Sequence, residues 1–269
     1  MKEKALEIAA QADTEHLRLN RLREYLQQVI LREMFELDWL AELVFHGGTA
    51  LRMLYGLRRF SEDLDFHLRQ PNRQYSIESR MKDLRRKLEL NGYDVEYGPV
   101  SSGNVRSAFI KFAGGLLYEA GISPHQTQKL RVKLEIDTNP PAGFGTDTSL
   151  LDQYFPIAVT HHDKESLVGG KCHAILQRKW SKGRDFYDLL FYLTRWEGTE
   201  PNFEYLNSAL KQTGYGGSRI DASNWKEAIR ERVEELDWSR VREDVRPFLL
   251  DPADLKAFRK EFLVSKLSE

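Results

Sequence analysis

The sequence predicts a mixed α/β protein of two lobes. A small mixed sheet with helices forms the N-terminal lobe, and the C-terminal lobe is helical. Three observations lead there. Apolar and polar residues alternate, with the period of a half-buried strand, at Ser61–Leu68 and Leu130–Asp137. From Lys164 onward helical periodicity takes over almost completely. A chain of 269 residues, 41% hydrophobic and 30% charged, is long enough to bury a sizeable core as one large domain or two small ones. The change of period places a boundary near residue 160, so the expected domains are 1–160 and 161–269.

Element by element, residues 4–40 read as helical, with Leu6, Leu17, Leu22, Leu26, Val29, Ile30, Phe35 and Leu37 at near-helical spacing. Leu43, Val44 and Phe45 form a short apolar run closed by Gly47-Gly48, the pattern of a buried strand. Thr49 to Tyr55 follows as a helix that Thr49 would cap and Gly56 would end. In Ser61–Leu68, Leu64, Phe66 and Leu68 point one way and Asp63, Asp65 and His67 the other. Ile77 to Leu90 is a basic amphipathic helix closed by Asn91-Gly92. Tyr93–Tyr97, Val105–Phe112 and Phe155–Thr160 read as strands. In Leu130–Asp137 the polar side carries Arg131, Lys133, Glu135 and Asp137, and Pro140-Pro141 stops the ladder. Helices are expected over roughly 164–178, 184–196, 202–212, 224–236 and 252–267.

Composition narrows the function. The net charge of −1 argues against a protein that coats nucleic acid through bulk charge. Positive charge is nevertheless gathered: 52–91 holds ten Lys/Arg against six acids, 164–195 seven against three, while 196–269 has 12 against 15. A local patch of this kind attracts an anion, or is simply a solvated helix face. The single cysteine, Cys172, excludes an intrachain disulfide framework and a cysteine-rich zinc site. No apolar run reaches transmembrane length and residues 1–20 lack the apolar core of a secretory signal, so a cytoplasmic protein without membrane partners is expected. Adjacent His161 and His162 would face opposite ways on a strand. Cys172 and the aromatic stretch from Trp180 to Trp196 read as core.

Chemistry concentrates around two carboxylate pairs and a glycine pair. Asp63 and Asp65, two apart on a strand, leave one face roughly 7 Å apart, and Glu135 and Asp137 do the same on a later strand. Three carboxylates converging on adjacent strands would bind Mg²⁺, a hard cation held by oxygen ligands together with substrate phosphates. Two such ions stabilise attacking and leaving oxygens in phosphoryl transfer. Gly47-Gly48, at a strand-to-helix turn, would let the backbone approach a phosphate, with free N–H groups at the helix start. Downstream, Lys171 and Arg178 lie seven apart on one helix face, and Arg184 and Asp188 are placed for an i, i+4 ion pair.

The segment FHGGTALRMLYGLRRFSEDLDFHL resembles the signature of nucleotidyltransferases of the DNA polymerase beta superfamily. More narrowly, it is similar to the AbiEii/AbiGii toxin family, which includes the MenT toxins. That family carries Gly-Gly-(Thr/Ser), Ser-x-Asp-x-Asp, a Lys-rich helix and an Arg-(x)-Asp-x-x-Asp helix. These read here as Gly47-Gly48-Thr49, Ser61-Glu62-Asp63-Leu64-Asp65, Lys171 through Arg178, and Arg184-Asp185-Phe186-Tyr187-Asp188, and VKLEIDTNPP resembles the third-carboxylate strand. The resemblance runs over residues 40–195 and implies a two-lobed nucleotidyltransferase fold with NTP and Mg²⁺ in a cleft. Asp63 and Asp65 would hold Mg²⁺, with Asp137 or Glu135 as third carboxylate and proton acceptor. Gly47, Gly48, Thr49 and Ser61 would cradle phosphates with Lys171, Arg178 and Arg184. Lys171 and Asp185, or Asp188 in place of Asp185, would act in catalysis. The resemblance further implies a toxin of a toxin–antitoxin or phage-defence pair, with a cognate antitoxin and the 3′ end of tRNA as acceptor, where the basic helix 77–90 would meet RNA backbone. A small-molecule or protein hydroxyl as acceptor, and a non-catalytic nucleotide-binding module, are the alternatives.

Overall fold

The computed structural model describes residues 1–178, 180 and 182–269. It is a mixed α/β structure with a seven-stranded mixed sheet. The chain opens with α1 (Lys2–Ala10) and α2 (Glu15–Glu36). The single helix expected over 4–40 breaks between them because Thr14 caps α2, its hydroxyl accepting from the Leu17 N–H at 3.3 Å. Beyond α2, Asp38 takes a left-handed φ of 54° ahead of a 3₁₀ turn at Trp39–Glu42. Strand β1 (Leu43–His46) runs directly into α3 (Gly47–Tyr55). Thr49 therefore sits inside α3 rather than capping it, and its hydroxyl donates instead to the Asp63 carbonyl.

Next come β2 (Asp63–Leu68), α4 (Glu78–Leu90), β3 (Val95–Tyr97), β4 (Val105–Phe112), the one-turn α5 (Leu116–Glu119) and β5 (Leu130–Asp137). Then β6 (Thr146–Leu151) precedes β7 (Ile157–His162). The sequence did not announce β6: it is largely exposed and lies at the sheet edge, so its residues lack the alternation that marks a half-buried strand. The helices α6 (Lys164–Gln177), α7 (Gly183–Arg195), α8 (Phe203–Gln212) and α9 (Trp225–Glu234) follow the expected periodicity. An unexpected α10 (Trp238–Val245) comes next, capped by Asp237. The helix expected over 252–267 resolves into a 3₁₀ turn at Pro252–Lys256 and α11 (Lys260–Ser268). No helix among the described residues is long and apolar enough to cross a membrane.

The strand order is β3-β4-β5-β2-β1-β7-β6. β2 is therefore interior, flanked by β1 running antiparallel and β5 running parallel. That removes the simplest non-functional reading of Asp63 and Asp65, polar residues on the wet side of an edge strand. The register sets Asp63 opposite Lys133, Asp65 opposite Glu135 and His67 opposite Asp137, with His46 of β1 opposite Asp65.

Two compact units are present. One comprises Met1–Leu54, Phe60–Pro140 and Thr148–His161; the other comprises Tyr55–Arg59, Pro141–Asp147 and His162–Glu269. In the first, alternation gives the sheet two unlike faces. Leu64, Phe66, Leu134 and Ile136 are buried in one core with Leu26 and Ile30 of α2 and Met81, Leu84 and Leu88 of α4. Phe45 and Phe66 stack there with ring centroids 5.1 Å apart. The opposite face carries Asp63, Asp65, Lys133 and Glu135, all half-buried. In the second unit, α6 packs on α7, α8 and α9, and α7 on α10 and α11. Gly183 opens α7 at a point where any Cβ would stand 2.0 Å from the Val241 carbonyl oxygen.

Candidate active site

The carboxylate cluster is built on β2 and β5 and fixed from three sides. Gly47, the first residue of α3, has φ +77°, a conformation other residues rarely adopt. A Cβ there would lie 2.5 Å from Asp65 Oδ2, so the turn closes directly onto that carboxylate. From the third residue of α3, Thr49 holds the Asp63 carbonyl. Helix α2 holds the approach to β2: the Gln27 amide donates to the Ser61 carbonyl at 3.1 Å, and Arg23 pairs with Glu62 at 3.4 Å. Arg52 of α3 is tied back to α2 by Glu24 at 2.6 Å and lies over the Phe60 ring at 4.8 Å. The row of buried polar residues on α2 thus anchors the loop and helix that present the two aspartates.

The structure places the remaining expected residues as follows. Glu135, directly opposite Asp65, accepts an ion pair from Lys133 at 2.8 Å. Burial opposes the charge on Lys133, but Glu135, then Asp63 and Asp65, outweigh it and raise the lysine pKa. Lys133 thus lies among these carboxylates, paired with Glu135 and opposite Asp63 in the register. Asp137 stands one pleat further along, opposite His67. Burial raises its pKa, against the Asn139 N–H that its Oδ1 accepts at 2.9 Å. His67 and His46 lie side by side, ring centroids 4.1 Å apart. Gly48 is the second residue of α3, and Ser61 is engaged through its backbone.

Among the described residues no three His, Cys, Asp or Glu side chains are set as a metal cage. Mg²⁺ does not require one, because it is commonly bound by one or two carboxylates with substrate phosphates and water. Asp63 and Asp65 fit that use: their donors are hard oxygens, and the bare Gly47 backbone lies against the Asp65 carboxylate where a side chain would collide with it.

The second unit holds a separate buried charge cluster. Arg59 grips Asp188 with two hydrogen bonds of 2.6 Å, and both side chains are nearly inaccessible. Lys171 of α6 lies 2.8 Å from both Asp188 and Asp185. Arg178, at the end of α6, pairs with the other oxygen of Asp185. Three cations thus share two carboxylates. Burial works against the charge on Lys171, but Asp185 and Asp188 prevail and raise its pKa; burial likewise works against Asp185, but Lys171 and Arg178 lower it. Lys171 stays a cation and Asp185 an anion at ordinary pH, so neither is poised to exchange a proton. Arg178 is the member that meets solvent, its side chain 41% exposed.

The Arg184–Asp188 pair expected from spacing does not form. Asp188 is taken by Arg59 and Lys171, and the Arg184 guanidinium lies 4.2 Å from the centre of the Phe248 ring. Asp188 therefore serves a buried arginine from far along the chain, whereas Asp185 serves the solvent-facing Arg178.

The family model for the nucleotidyl transferase AbiEii toxin of type IV toxin–antitoxin systems matches residues 29–262. The chain belongs to the AbiEii family. It is accordingly a nucleotidyltransferase, of a family of toxins that act with antitoxins. Two solved structures share its fold, both from Helicobacter pylori. A proposed nucleotidyltransferase is 18% identical with a TM-score of 0.52, covering 91% of this chain and 89% of its own. JHP933 is 17% identical with a TM-score of 0.52, covering 91% and 87%. No curated protein matches the chain.

Sequence reasoning missed four contributors to these two clusters of the AbiEii chain. Arg59 reads as one more basic residue after Gly56, and only the fold links it to Asp188. Lys133 looks like the polar half of an alternating strand. Glu24 and Gln27 sit within a helix whose leucine pattern drew attention away from its buried polar row.

Three outcomes are expected. Gly47→Ala would displace the Asp65 carboxylate and lower transferase activity at least about a hundredfold while the far-ultraviolet circular dichroism stays native; unchanged turnover would refute the contact. Asp188→Ala strands Arg59 and should lower unfolding stability by about 3–5 kcal/mol in urea titrations, and a loss under about 1 kcal/mol would contradict a structural role. Because Asp185 has a folded pKa below its unfolded value of about 3.9, its contribution is full above that pH and lost as pH falls through the folded pKa. Asp185→Asn should therefore flatten the acid limb of stability against pH, and an unaltered limb would count against the pairing.

Proposed function

We propose that the protein transfers a nucleoside monophosphate from an NTP to the 3′-terminal hydroxyl of tRNA, releasing pyrophosphate. The observation that carries the transfer chemistry is the juxtaposition of Asp65 with Glu135 across β2 and β5, closed by Gly47; the tRNA acceptor follows from the resemblance to the MenT toxins. Asp63 and Asp65 would hold Mg²⁺ where the triphosphate binds. When bound, Mg²⁺ polarises the phosphoryl oxygens and offsets their charge. The acceptor oxygen bonds to the α-phosphorus as the bond to the bridging oxygen breaks, and the electron pair leaves with pyrophosphate. Glu135, rather than Asp137, is the third carboxylate and takes the hydroxyl proton, since the register puts it beside Asp65 and Asp137 a pleat away. Gly47, Gly48 and the start of α3 offer backbone N–H groups to phosphate.

In the second unit, the solvent-facing Arg178 is the member of its cluster suited to bind a phosphate, and Lys171 is the inner cation that fixes Asp185 beside it. Asp185 orients both, through the contacts described above. The activity belongs to a toxin held by a cognate antitoxin, serving phage defence in the cytoplasm. A buried, unpaired Cys172 agrees with a reducing compartment.

Label transfer tests the proposal. Native protein with Mg²⁺, each α-labelled NTP in turn and total bacterial tRNA is expected to label RNA, while Asp63→Ala/Asp65→Ala labels nothing. Label arriving instead on a protein or small molecule of a cell lysate would overturn the RNA acceptor and keep the enzyme. Equal labelling by the double variant would overturn the assignment of the aspartates.

A further inference from the structure

Positive charge continues from the carboxylates along the same sheet face. Side chains two apart on a strand leave one face about 7 Å apart, so β5 sets Glu135, Lys133 and Arg131 in a row, with Lys129 just before it. β4 supplies a second row: Ser107 opposite Glu135, Phe109 opposite Lys133 and Lys111 opposite Arg131. Phe109 and Arg131 are exposed and Lys111 half-buried. Lys111, Thr127, Gln128, Lys129 and Arg131 line an open cavity of about 500 Å³. Lys129 is paired with Glu96 at 2.6 Å, whereas Lys111 and Arg131 make no ion pair with any described residue.

Cations spaced along two strands, with an exposed aromatic ring among them, suit a single-stranded nucleic acid: cations meet phosphates and the ring stacks under a base. A protein partner is a poorer match, since Phe109 and Val105 are the large exposed apolar side chains on these two strands among the described residues. Helix α4 is the obvious basic rival. Its Met81, Leu84 and Leu88, however, belong to the core beneath the other face of the sheet, so its basic residues, paired (Arg80, Arg85) or not (Lys82, Arg86, Lys87) among the described residues, stand on a helix across the sheet from Asp63 and Asp65.

We propose that this face of β4 and β5 is the track for the single-stranded end of the acceptor. Lys111 and Arg131 contact its phosphates and Phe109 stacks a base, so that the terminal hydroxyl reaches Asp63 and Asp65. The inference rests on the RNA-acceptor reading above.

The test is fluorescence anisotropy of an unstructured RNA of about 12 nucleotides with the full-length native protein, Lys111→Glu/Arg131→Glu, Phe109→Ala, and Arg86→Glu/Lys87→Glu on α4, across a salt series. The β4/β5 charge reversal should weaken binding at least about tenfold and flatten the slope of log affinity against log salt by about 1.4, at 0.7 per phosphate contact. Phe109→Ala should weaken binding at least about fivefold, while the α4 variant stays native. NTP-dependent thermal shifts should remain native throughout, showing that the substituted proteins are folded. Native-like binding and salt slope in Lys111→Glu/Arg131→Glu would overturn the track and leave an RNA acceptor standing. Failure of the native protein to bind RNA would overturn both, and the label-transfer experiment would then identify the other acceptor.

Discussion

The parallel pairing of β2 with β5 is the constraint on which the candidate active site depends. Strand side chains alternate with a strict period of two, so one register both buries Leu64, Phe66, Leu134 and Ile136 and delivers Asp63, Asp65 and Glu135 to the other face. A slip of one residue would exchange these faces, driving carboxylates into the core and exposing leucines. The hydrophobic core thereby enforces the placement of the acids. Because β2 is interior, both its flanks are hydrogen-bonded, and the aspartates stand on one of the most constrained strands of the sheet.

Charge is managed differently in the two units. On the sheet face it is half-buried and concentrated: carboxylates gather around Lys133 and Gly47 with water still within reach. Such an arrangement suits a cationic ligand, since acids held close together repel until a cation arrives. In the helical unit the charges are deeply buried and already satisfied by one another. Removing one partner there leaves a buried ion without compensation, which is why Asp188 carries structural weight; Arg178, at the solvent end of the chain of pairs, is the exposed member.

Much of this was legible in the sequence, for identifiable reasons. Leu130–Asp137, by its alternation, and Val105–Phe112 were legible as strands with the observed bounds, because each has one buried and one solvated face. The AbiEii resemblance rested on Gly47-Gly48-Thr49 and Asp63-Leu64-Asp65, and the family match extends it over residues 29–262. Strand β6 escaped because an exposed edge strand has no alternation to display. The cap at Thr14 was hidden within a longer run of leucines. Arg184 was paired with Asp188 on local spacing alone, and a distant arginine won that carboxylate because a rigid guanidinium fork binds both oxygens at once.

What the sequence determined by itself was local: periodicity, the residues able to turn at Gly47, and the supply of acids and bases at fixed spacings along single elements. The tertiary structure decided which of those residues meet. It set Glu135 rather than Asp137 opposite Asp65, placed Arg59 on Asp188, and turned the polar row of α2 into an anchor for Ser61. Spacing along one strand or helix follows from backbone geometry and can be read from the chain. Register between strands, and contacts across 129 residues of chain such as Arg59 to Asp188, follow from packing the whole core at once and have no local signature.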